Sequence, residues 1–134
     1  MIGKLSQEVL EAILETMPIE FSVVDAEDRV LAWNKPTTRI FKRPEGVLGK
    51  EVANCHPKKS LAKVEKILKE MKEGKREKAR FWIDLPLGPH QEKQKVLIEY
   101  YALKDKEKKY LGCLEVSQNI AELQAIRGEK RLLD

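Results

Sequence analysis

Apolar positions near the start of the chain recur at helical spacing: Leu5, Val9, Leu10, Ile13, Leu14 and Met17, with Ser6 placed to cap the run and Pro18 to end it. The spacing predicts an amphipathic helix over 5–17. Two short apolar stretches follow, 21–25 and 29–33, separated by the polar Ala26, Glu27 and Asp28, and they read as a β-hairpin that Asn34 halts. Residues 35–50 hold two prolines and two glycines, too broken for one long helix, while Ile40, Phe41, Val47 and Leu48 make the stretch too apolar for a free loop. A packed lid of short turns is expected there. Over 57–73, Leu61, Val64, Ile67, Leu68 and Met71 fall on one stripe, with Pro57 suited to the first turn and Gly74 to the stop.

Three strands are predicted next. Ala79, Phe81, Ile83 and Leu85 alternate with Arg80, Trp82 and Asp84, and Val96, Ile98, Tyr100 and Ala102 share one face in the same way. The third strand, 110–117, follows a charged turn, and Glu115, like Glu99, reads as part of a solvated sheet face. A last amphipathic helix is expected over 119–133, carrying Ile120, Leu123 and Ile126. The order of elements gives an α+β domain: a five-stranded antiparallel sheet with helices on one face. Its parts are an amphipathic N-terminal helix (1–17), a core (18–118) and a C-terminal helical extension (119–134).

Alternation places Trp82, Leu97, Tyr101 and Leu103 on the far side of the sheet, where solvent selects polar residues. That face needs a cover, and the N-terminal helix has the length to provide one, on its own subunit or swapped onto a partner. A homodimer is expected, with Leu10, Ile13, Leu14, Trp82, Leu97 and Tyr101 at its interface.

The chain has 134 residues, 42% hydrophobic and 36% charged, enough for one unstapled core and unlike a disordered chain. Its net charge, 26 basic minus 22 acidic residues or +4, is spread by interleaving, as in Lys69-Glu70-Met71-Lys72-Glu73. With no zinc-finger spacing or unbroken basic arm, a nucleic-acid partner is not expected. No apolar run reaches the roughly 20 residues that span a bilayer, so no membrane role is expected either. Cys55 and Cys113 do not make a disulfide framework, which with no secretory h-region points to a reducing cytoplasm. Abundant Lys and Glu beside three Asn are thermophile-like.

The stretch from Phe21 through Asp25 to Asn34, the broken turns ending at Gly49, and His56-Pro57 ahead of a long helix resemble the PAS sensory domain over about residues 18–120. Asp25, Asn34, Gly49 and His56-Pro57 match recurrent positions of that family, whereas the usual Asp-Ile-Thr at the exit is here Asn119-Ile120-Ala121. More narrowly, Asn54 to Ser60, Phe81-Trp82-Ile83 and the closing residues 128–134 are similar to a PAS module that follows hemerythrin-like domains in bacterial and archaeal proteins of unassigned function. The resemblance implies a non-enzymatic sensory or ligand-binding module, with a small cavity between sheet and helices. Haem-binding relatives place a histidine within the long helix, and none stands near Lys63 or Val64; flavin photosensors carry Asn-Cys-Arg-Phe-Leu, whereas Asn54-Cys55 is followed here by His-Pro-Lys.

Helix stripe and inward strand faces nominate Phe41, Leu61, Val64, Leu68, Phe81, Ile98 and Tyr100 for a pocket, with Cys55 and His56 beside them. Tyr100 offers a polar handle. The alternative reading is a haem-, flavin- or redox-sensing domain using His56 or Cys55, although two Cys and two His do not supply a closed zinc site and no metal site is assigned. His90, in Leu87-Gly-Pro-His-Gln91, reads as exposed. Lys58 and Lys59 stand in the first turn of the long helix, where the helix dipole already makes the potential positive. A carboxylate or phosphate at His56, Lys58, Lys59 and Ser60 would offset that charge. There is no Gly-x-Ser-x-Gly elbow, phosphate-binding Gly-rich loop or Cys-x-x-Cys, so no catalytic residues are assigned.

Overall fold

The computed structural model describes residues 1–133, apart from the side chains of Asn54 and Cys55. Helix α1 (Gln7–Thr16) leads into the hairpin β1 (Glu20–Asp25) and β2 (Val30–Trp33). Short 3-10 turns at Glu45–Val47 and Val52–Cys55 precede α2 (Lys58–Lys72). Strands β3 (Lys78–Leu87), β4 (Glu92–Lys104) and β5 (Tyr110–Asn119) and a single turn, α3 (Ala121–Gln124), complete the chain. The sheet has the order β2-β1-β5-β4-β3 with every pair antiparallel, so the last strand lies in the middle.

Two loops of this sheet are built alike. Asp25 Oδ1 accepts the amides of Glu27 and Arg29, each at 2.9 Å, and Asp105 Oδ1 accepts those of Glu107 and Lys109 at 2.8 and 2.9 Å. The fourth residue of each loop, Asp28 (φ 63°) or Lys108 (φ 66°), takes the left-handed conformation. A short carboxylate thus organises each reversal through local hydrogen bonds.

Helix α2 starts behind Pro57 and ends at Gly74, whose φ of 74° lets the Lys75 amide reach Glu70 O (2.8 Å) and the Gly74 amide reach Met71 O (3.1 Å). Its buried Val64, Leu68 and Met71 pack against Val24, Val96, Ile98, Tyr100 and Cys113 on one face of the sheet. The Phe81 and Tyr100 rings meet edge to face, with centroids 5.6 Å apart. This layer is the core.

Three expectations are corrected. Residues 119–133 are helical only at Ala121–Gln124: Gly128 turns to φ 63°, and Leu123, Ile126, Leu132 and Leu133 are exposed, so a longer helix has no surface to pack against. Helix α1 does not cover the far face of its own sheet. It buries no residue and leaves Val9, Leu10 and Ile13 39–47% exposed. Its C-terminal end is instead held at the β1–β2 end, where Asn34 Nδ2 donates to Leu14 O (2.7 Å) and Glu15 accepts the Lys35 amide (3.1 Å). Finally, Glu115 faces inward, because on β5 it is Leu114 and Val116 that point away from the helices and Cys113, Glu115 and Ser117 that point toward them.

Candidate functional site

Between α2, the segment 40–43 and the inner faces of β3 and β4 lies an open cavity of about 790 Å³. Phe41, His56, Val64, Phe81, Ile98 and Tyr100 line it, and of these Val64, Phe81, Ile98 and Tyr100 lie on the helix stripe and the inward strand faces. Leu68 lies deeper, on a residual void of about 10 Å³ behind the cavity, room for about one water. Leu61 is half-buried on α2 and lines neither space. Cys55 lies outside the described side chains.

Ile40, Arg43, Lys63, Ile67, Trp82, Ile83 and Glu115 complete the principal walls. Trp82, which alternation assigns to the far face, is 61% exposed on edge strand β3 and reaches the rim of the cavity. Of the proposed anion group, His56 and Ser60 line the cavity, whereas Lys58 and Lys59 do not. The Ser60 hydroxyl donates back to Pro57 O (3.1 Å), and Pro57, the N-cap residue of α2, makes no side-chain capping hydrogen bond.

The wall at 40–43 is fixed by charges that the sequence pattern does not reveal. The Glu20 carboxylate accepts the amides of Ile40 (2.6 Å) and Phe41 (3.1 Å) and lies 3.8 Å from Arg39. Arg39, 5% exposed, donates to Phe41 O, Phe21 O, Asn34 O and Ser22 Oγ at 2.9–3.1 Å. Burial lowers its pKa, the effect opposed by the Glu20 carboxylate. Arg43 donates to Ser22 Oγ (2.8 Å) and Glu115 (3.0 Å), so its guanidinium closes the inner wall.

At the floor, His56 Nδ1 lies 3.1 Å from Val52 O and Nε2 lies 3.5 Å from the Tyr100 hydroxyl. A proton on Nδ1 satisfies the carbonyl and leaves Nε2 facing Tyr100 as an acceptor. Burial, then the Glu115 charge beside it, pushes the Tyr100 phenol well above its ordinary range, so it stays a donor. Burial likewise pushes the Cys113 thiol up to about 12, which makes it unreactive. At the sheet exit, Asn119 takes the place of an aspartate: its Oδ1 accepts the Ala121 amide (3.0 Å) and its Nδ2 donates to Gln94 (2.5 Å).

Among the described residues no three His, Cys, Asp or Glu side chains cluster as metal ligands, and no helix is long and apolar enough to cross a membrane. An antiparallel β2-β1-β5-β4-β3 sheet, one long helix across it and a cavity between them define a sensory fold. The chain belongs to the PAS domain family, which matches it over residues 10–121. PAS domains serve signal sensing in signal transduction. Among solved structures, the chain is similar to the C-terminal domain of a Streptococcus mutans protein, at 29% identity and a TM-score of 0.80, over 92% of each chain. The PAS domain of Bordetella pertussis BvgS shares the fold at 20% identity and a TM-score of 0.62, over 87% of this chain and 90% of that one. So does Vibrio cholerae VqmA, described as a dimer and a LuxR-type receptor, at 14% identity and a TM-score of 0.64, over 94% of this chain and 56% of that one. No curated protein matches the chain.

Proposed function

We propose that this chain is a non-enzymatic sensory module that binds a small molecule in the cavity between α2 and the sheet. The observation that carries the reading is the contrast in packing. The core behind Tyr100 closes to about 10 Å³, whereas about 790 Å³ stays open in front of it, within the range of ligand pockets, about 300–1,000 Å³. Its apolar walls carry a limited set of polar groups, Tyr100, His56, Ser60 and the Arg43–Glu115 pair, with Lys42 and Lys63 exposed, which suits orienting a ligand. The test is a thermal-shift screen of small molecules against the chain and against Ile67→Trp, which places an indole in the cavity from a half-buried position. Compounds that raise the Tm of the parent protein leave that of Ile67→Trp unchanged. A screen in which no compound separates the two proteins refutes the reading.

A second observation supports self-association. On β1 and β5 the half-buried apolar side chains Val23, Leu114 and Val116 point away from the core, continuous with Leu97 and Tyr101, while α1 keeps Val9, Leu10 and Ile13 exposed. A homodimer that covers this face with α1 of a second copy buries both surfaces. Leu10, Ile13, Leu14, Leu97 and Tyr101 lie within it, with Trp82 at the β3 margin.

A further inference from the structure

The cavity has an excess of positive charge. Lys42, Arg43 and Lys63 line it against a single carboxylate, Glu115. Arg43 and Glu115 neutralise each other at 3.0 Å, the arginine only 7% exposed. Lys42 and Lys63 have no salt-bridge partner among the described residues. Lys63 stands one turn from Lys59 on one side and from Lys66 on the other, with no acid at helix-neighbour spacing to balance it. The first turn of α2 is also free of acidic residues, and its amides add positive potential at the same end of the cavity. Phe41 and Phe81 line the same cavity, with Trp82 reaching only its rim.

Building on the ligand-cavity reading, we propose that the ligand is an aromatic carboxylate, its ring held by Phe41 and Phe81 and its charge held by Lys42 and Lys63. An organic monoanion offsets one of the two unpaired positive charges at the mouth and buries its apolar body in one step. The lysines approach from different walls, the 40–43 segment and α2, so the anion bridges the two elements that bound the opening.

Isothermal titration of the full chain with 2-naphthylacetate and its neutral analogue 2-naphthylacetamide tests this at low ionic strength. The acid binds about three- to tenfold tighter than the amide, the range set by exposed charge pairs, and added salt erodes the difference. The double variant Lys42→Gln/Lys63→Gln brings the acid down to the affinity of the amide and leaves the amide unchanged; both lysines are exposed, so the variant keeps its fold. Equal binding of acid and amide by the parent chain, or an acid preference that survives the double substitution, overturns the carboxylate assignment and leaves the cavity reading intact. Binding of neither probe at millimolar concentration overturns the two together.

Discussion

Arg39 is a closely held, buried charge. Four hydrogen bonds and the nearby Glu20 surround it, and removing it leaves Glu20 buried without its counter-charge. Arg39→Leu therefore lowers stability by about 3–5 kcal/mol, measured by urea denaturation. Cys113 gives a pH prediction. Its thiol titrates near 12 in the folded chain and near 8.5 when unfolded, so its contribution is complete below about pH 8.5 and is lost as pH rises toward 12. The Tm falls with pH above about 8.5, and Cys113→Ala makes that fall shallower. At this scale the sequence was partly legible. Val64, Phe81, Ile98 and Tyr100 are marked by period, because apolar residues at helix or strand spacing have one face to hide. Glu20, Arg39, Arg43 and Glu115 escaped it, because a charged residue reads as solvated unless its partner is known, and these partners lie 19 and 72 positions apart. On β5 the rule inverted outright: Leu114 and Val116 look like the inward residues, whereas they face away from the core.

Among the elements, the two Asp-organised loops make a matched pair. Asp105→Ala removes two local hydrogen bonds from the β4–β5 reversal and costs about 1–2 kcal/mol in urea unfolding. Asn34 acts across elements instead, joining Phe21 N, Leu14 O and Ile19 O through one buried amide. Asn34→Ala cuts that tie and accelerates amide hydrogen exchange along α1 relative to α2. The strands and α2 were readable because each buries a regular face. The C-terminal stretch has the same apolar spacing but nothing to pack on, and periodicity alone does not supply a partner surface. Gly112 shows a constraint that pattern leaves hidden. A Cβ there would sit 2.0 Å from Val24 O, so Gly112→Ala forces β1 and β5 apart.

For the whole molecule, the proposed dimer predicts sedimentation as a two-chain species at micromolar concentration. Ile13→Lys, a change at an exposed position, shifts it to a monomer without loss of secondary structure. A parent chain that sediments as a monomer throughout refutes the association. The α+β architecture and sheet composition were legible from element order, while the placement of α1 was not, since it depends on two side-chain tethers, at Asn34 and Glu15.

The central position of β5 has a consequence for synthesis. Strands β1 and β2 leave the ribosome first and β3 and β4 later, but the two hairpins share no ladder until residues 110–119 arrive between them. A nascent or truncated chain that stops before Tyr110 holds two separate ribbons with four unpaired sheet edges. The sensory fold therefore closes late and all at once, like a zip whose slider is its last tooth.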